Sequence, residues 1–169
     1  GVWSSVPIFD DTAFPLPTEE LLRGASWPKK KDRLARALLL LSLRDGAKDF
    51  ADSSEVSRRN IKTREYHHIY PKAFLQKWGL NENETNKALN CALITWKTNR
   101  VISDKKPLEY LLERADASAL GKEEIRARLS THLIDYDMLI KGDYEEFISA
   151  RSTVMREVAD RLCGFDSRI

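Results

Sequence analysis

The chain has 169 residues, 42% of them apolar and 32% charged, with four tryptophans; it has room for one domain, or one domain plus an appendage, whose core covers roughly 70% of the unfolded surface, and this composition argues against disorder. Two cysteines, Cys91 and Cys163, far apart and without a CxxC neighbour, argue against a disulfide framework and a four-ligand zinc site, and the longest apolar stretch, Ala37 to Leu41, is too short to cross a bilayer. A formal charge of +2 hides a gradient, because residues 1–60 carry 10 basic and 9 acidic groups, 61–110 carry 9 and 5, and 111–169 carry 9 and 12; a polyanion would meet the middle segment.

Residues 1–17, with Pro7, Pro15 and Pro17, read as an extended lead-in. Thr18 is placed to cap a short helix with Glu19 and Glu20 in its first turn, stopped at Gly24. A leucine-rich core helix is expected from Pro28 to Arg44, with Leu34, Ala37, Leu38 and Leu41 on one stripe, ended by Gly46; Lys29 to Lys31 would form a solvated face in its first turn. Another, polar helix is expected over 48–60, then a strand over Thr63 to Ile69 closed by Pro71. Ala73, Phe74 and Trp78 suggest a turn or two of helix ended by Gly79, residues 81–86 a connector, and Leu89 to Ile94 the second strand. Thr95 should cap a helix through Ile102, with a break at Ser103 and a new start at Pro107. Beyond Gly121 the pattern is helical: Ile125, Leu129 and Leu133 form a stripe, and Asp143 with Glu146 makes a capping box for a helix of about 20 residues bearing Tyr144, Phe147, Ile148, Met155, Val158, Ala159 and Leu162. His132 reads as structural, Asp135 and Asp137 as loop solvation, and Trp78 and Trp96 as core packing.

Against this helical background one strand, connector, strand and helix unit carries His67, His68, Asn90 and Asn99. It reads HHIYP from His67, NCALITWKTN from Asn90 to Asn99, and ISDKKPLEY from Ile102, with nine residues between the two asparagines. Neighbouring residues of an ideal strand point to opposite faces, so two histidines can serve one site only if the backbone turns or bulges at about His68 to Tyr70. The unit resembles the HNH, or ββα-metal, nuclease motif, and within that superfamily it is similar to the C-terminal nuclease domain of GmrSD-type restriction enzymes, which act on modified phage DNA. The resemblance covers about residues 64 to 113.

This resemblance implies that His68 is the general base, a role that suits a neutral imidazole; that His67 and Asn99 are the metal ligands; and that Asn90 braces the loop holding the base. Such an incomplete ligand shell suits Mg²⁺ or Mn²⁺, with other transition metals possible. The implied reaction is hydrolysis of DNA phosphodiester bonds, leaving a 5′ phosphate and a 3′ hydroxyl. Lys72, Lys97, Arg100, Lys105 and Lys106, with Lys77 and Lys87, are candidates for phosphate contacts. The expected fold class is α+β, a mostly helical domain containing a two-stranded hairpin plus helix: residues 1–60 form its helical amino-terminal part, 61–115 hold the motif with an inserted helix, and 116–169 form the helical carboxy-terminal part. The chain begins with glycine and 1–60 hold no phosphate-cradling glycine loop; a fragment of a longer protein is expected, lacking the amino-terminal nucleotide-hydrolysing, ParB-like domain that accompanies this module in the family. A cytoplasmic, bacterial or archaeal setting, with DNA as partner and no membrane, completes the expectation. The alternatives are an inactive HNH-like module that only binds nucleic acid, and a helical interaction module in which the motif is coincidental.

Overall fold

The computed structural model describes Asp10 and residues 12–29, 31–117 and 121–163, so most of the expected lead-in before Thr18 lies outside the described residues. Helix α1 (Glu19–Gly24) starts where Thr18 accepts a hydrogen bond from the Leu21 N–H. Helix α2 (Arg33–Ser42) begins later than the leucine periodicity suggests, because Asp32 caps it: one carboxylate oxygen accepts from the Ala35 N–H at 3.0 Å, and the other holds the Ser26 N–H and hydroxyl. Such a cap stabilises a helix by about 1 kcal/mol. Lys29 therefore lies outside any helical turn, with its ammonium over the Tyr66 ring.

The helix expected over 48–60 is absent. Asp49 accepts from the Ala51 N–H and Asp52 from the Ser54 N–H, giving the backbone local partners that compete with helical ones. A single antiparallel bridge, Lys48 to Glu55, closes this irregular segment. Its Asp49 is fully buried and accepts from the Thr95 N–H and the Thr98 hydroxyl, which ties it to the second strand and the helix after it.

Strands β1 (Arg64–His68) and β2 (Cys91–Thr95) form a two-stranded antiparallel sheet with Arg64 opposite Thr95 and His68 opposite Cys91. Between them lie α3 (Lys72–Lys77) and a one-turn helix, α4 (Glu82–Thr85), whose capping box of Asn81 and Glu84 converts the expected connector into structure. Thr95 caps α5 (Trp96–Ile102), and α6 (Pro107–Ala117) follows the break. The tail holds α7 (Gly121–Ser130), α8 (Tyr136–Lys141) and the long α9 (Tyr144–Cys163). Asp135, expected as loop solvation, caps α8, and Asp137 pairs with Arg126.

The hairpin divides the apolar residues. Cys91, Leu93 and Tyr66 pack with Trp27, Leu39 and Val56 on one side, whereas Ala92 and Ile94 join the larger core of Leu22, Leu38, Phe50, Leu89, Ile102, Tyr110, Ile125 and Met155 on the other. That larger core draws on the first, middle and last thirds of the chain, so the hairpin, marginal alone, is supported from both faces. The molecule is α+β and mostly helical. No helix among the described residues is long and apolar enough to cross a membrane.

Candidate functional site

Regular pairing through His68 decides the geometry of the histidine pair. Because side chains alternate along β1, Glu65 and His67 face α5 while Tyr66 and His68 face Trp27. The ladder continues to a bond from the Ile69 N–H to the Asn90 carbonyl, and the chain bends at Ile69 and Tyr70, just past the pair. The structure thus brings His67 and Asn99 together and leaves His68 on the opposite face.

His67 is 3% exposed, with the Phe50 and Tyr110 rings edge-on at 6.1 Å. Its Nδ1 lies 2.8 Å from Asn99 Oδ1, and Asn99 Nδ2 donates to Glu65 Oε2 at 2.6 Å. The Glu65 contact orients the amide, so the amide oxygen faces the imidazole and Nδ1–H is the donor. Burial holds the His67 proton affinity down at about 4, partly opposed by the Asn99 bond. Its Nε2 is buried without a partner among the described residues.

His68 stacks on Trp27, ring centroids 3.9 Å apart and planes within 12°. Its Nε2 lies 2.9 Å from Asn86 Oδ1, and Asn86 and Lys72 both bond Glu82 Oε1. Burial lowers its proton affinity below the ordinary histidine range, the Asn86 bond raising it and Lys72 lowering it further. Both rings are therefore neutral at pH 7.

Asn90, fully buried at the strand entry, clamps the bend after the histidines: Oδ1 accepts from the Tyr70 N–H at 2.8 Å, and Nδ2 donates to the Tyr70 and Thr85 carbonyls. The Tyr110 hydroxyl adds a bond to the Ile69 carbonyl.

Among the described residues no three His, Cys, Asp or Glu side chains converge as a metal site. The donors gathered here are instead one imidazole, one amide oxygen and the exposed Glu65 carboxylate. This set fits a hard divalent ion in an open shell, since the imidazole is held neutral, as a ligand must be. With Nδ1–H given to Asn99 Oδ1, the His67 lone pair sits on Nε2, so for the imidazole and the amide oxygen to share an ion the ring proton would have to move from Nδ1 to Nε2. Glu65 escaped the sequence reading although its position two residues before His67 on the same strand face was a legible signal.

Of the expected phosphate contacts, Lys72 and Lys105 are engaged with Glu82 and Glu113. Lys97, Arg100 and Lys106 have no carboxylate at ion-pair distance among the described residues. Trp78 and Trp96, expected in the core, are 52% and 55% exposed. His132 is buried and structural, its Nε2–H donating to the Lys48 carbonyl at 2.8 Å.

No protein-family model matches the chain, and no solved structure matches it. A similar protein, "Uncharacterized protein MJ0686" of Methanocaldococcus jannaschii, is 32% identical over 114 residues, covering 55% of this chain and 20% of that protein.

Proposed function

We propose that the chain is a metal-dependent DNA endonuclease domain of the HNH type, hydrolysing phosphodiester bonds as the catalytic end of a larger restriction or phage-defence protein. The observation that carries the reading is the meeting of His67 and Asn99, 32 positions apart in sequence, at 2.8 Å across the strand-to-helix junction, beside a buried Asn90 that fixes the loop after the histidines. His67, Asn99 and Glu65 are the residues that would hold a divalent ion. When bound, Mg²⁺ or Mn²⁺ supplies charge neutralisation at a phosphate.

The chain's own residues do the rest. His68 is neutral, and with Nε2–H given to Asn86 its Nδ1 carries a lone pair; to accept a proton from water beside the ion, the strand end would have to turn His68 from the Trp27 face towards Asn99. Lys97, Arg100 and Lys106 hold flanking phosphates, each displacing condensed counterions. Action on modified DNA and cooperation with an amino-terminal nucleotide-hydrolysing, ParB-like domain belong to the same reading and rest on the motif resemblance.

One observation favours a second reading, an inactive HNH-like module that binds nucleic acid. His68 stacks on Trp27 across the sheet from Asn99, and a base on that face does not share the cluster's side of the strand. Plasmid nicking with Mn²⁺ separates the two. The active reading expects nicking by the native chain, abolished by EDTA and reduced about 100-fold or more in His68→Ala and Asn99→Ala. Binding without metal-dependent nicking, or equal nicking by the native chain and both variants, refutes it.

A further inference from the structure

We infer that the outer face of α5 is a nucleic-acid contact that stacks one unpaired base on Trp96 and holds the adjoining phosphates on Lys97 and Arg100. At 100° per residue, Thr98 and Ile102 point inward and are buried, which leaves Trp96, Lys97, Arg100 and Val101 outward and Asn99 at the border. An indole and an isopropyl group, 55% and 41% exposed, lie on a helix whose other outward groups are cations. The Arg100 guanidinium lies 5.3 Å from the centre of the Trp96 ring, and neither it nor Lys97 has a carboxylate partner among the described residues.

Aromatic surface flanked by unpaired positive charge suits a base and its phosphate, because every base offers a π-face and the strand supplies the anions. The occupant is single-stranded or locally unpaired, since the bases of an intact duplex already stack on one another. Its place follows from Asn99: a strand whose phosphate reaches that amide runs across the same short helix. Trp78 is the contrasting case. It too is exposed, but its groove of about 430 Å³ mixes Lys77, Lys105 and Lys106 with Asp104 and Glu109, and Lys105 is bound to Glu113.

The α5 contact rests on the nucleic-acid surface of the nuclease reading and is tested without turnover. Fluorescence anisotropy in EDTA, with a labelled single-stranded oligonucleotide of about 12 nucleotides, long enough for one site, reads it directly. Trp96→Ala should weaken binding about 5- to 150-fold, the value of one stacked base, with Trp96→Phe keeping most of the affinity and Trp78→Ala within about twofold of the native chain. Arg100→Gln should lower the slope of log affinity against log salt by about 0.7. Affinity of Trp96→Ala within about twofold of native, or an equal loss in Trp78→Ala, overturns the stacking role even where the native chain nicks plasmid. Loss in Trp96→Ala with no nicking by the native chain upholds the contact and removes the endonuclease reading instead.

Discussion

Replacing His132 by glutamine should make the protein less sensitive to acid, whatever it does to stability near neutrality. The ring is fully buried between α7 and α8, edge-on to Phe50 at 5.1 Å, with Nε2–H donating to the Lys48 carbonyl and Nδ1 without a partner among the described residues. Burial holds its proton affinity at about 4, the Lys48 bond and Asp49 acting upward and Arg151 and His67 downward. The unfolded chain, with an ordinary value near 6.5, takes up the proton first as pH falls, so stability is full above about 6.5 and declines until about 4. Relative to neutrality that is a loss of about 2 kcal/mol by about pH 5 and about 3 kcal/mol by about pH 4, against a total stability of about 5–15 kcal/mol. His67, held down to a similar value by burial, adds a comparable loss. Asp32 does not contribute to this window, because the Ala35 N–H stabilises its charge and holds it below the ordinary carboxylate range. Urea unfolding of the native chain and His132→Gln from about pH 7.5 to about pH 5 should give a shallower decline for the variant, by about 2 kcal/mol over the range. Parallel declines would show that the ring is not the source and refute the assignment of its buried, neutral state.

Two further substitutions test the framework that carries the site. Asn90→Ala removes the clamp on Tyr70 and leaves a buried N–H and two carbonyls without that side chain; it should cost about 2–4 kcal/mol in urea unfolding, and a cost below about 0.5 kcal/mol would mean that water replaces the amide freely. Arg151, buried in α9, donates to the carbonyls of Leu89, Cys91, His132 and Leu133, and burial lowers its proton affinity only to about 10, so it stays charged at neutrality. Arg151→Met should destabilise by about 3–5 kcal/mol because those carbonyls lose their donors, and Arg151→Lys should recover little, since one ammonium cannot span all four. Near-native stability of either variant would refute the staple role.

Elements with a strong local signature were legible. The stripe from Tyr144 onward became a helix of 20 residues, Thr95 caps α5, and the two alternating segments pair as a hairpin. Residues 48–60 escaped because their structure is set by distant partners: Asp49 bonds Thr95 and Thr98, Arg128 donates to the Phe50 carbonyl, and Thr131 accepts from the Lys48 N–H. Periodicity cannot report contacts of that range. Arg151 escaped for the same reason, since a cation on an apolar helix face reads as surface until the carbonyls it meets are known. The tryptophans erred in the opposite direction: Trp96 follows the cap of a short helix whose inward stripe is already filled by Thr98 and Ile102, so the indole is left outside.

At the site, spacing was informative where it encoded a register and silent where it did not. The interval from Asn90 to Asn99 spans one strand and one turn of helix, which puts the first asparagine under the bend and the second over the strand beside His67. The histidine pair obeys the twofold alternation of a strand, and the absence of a bulge before Ile69 sends its members to different environments. His67 belongs to the main core, so removing it deletes buried ring contacts with Phe50 and Tyr110 together with the donor to Asn99. His68 touches Trp27 and Asn86 instead. Lost activity in a His67 variant would therefore mix folding with chemistry, whereas lost nicking in His68→Ala at undiminished urea resistance would support the proposed proton-acceptor role. The face on which His68 lies, across the sheet from Asn99, thus lets the proposed role be tested apart from the main core, and unchanged nicking in that variant would remove it.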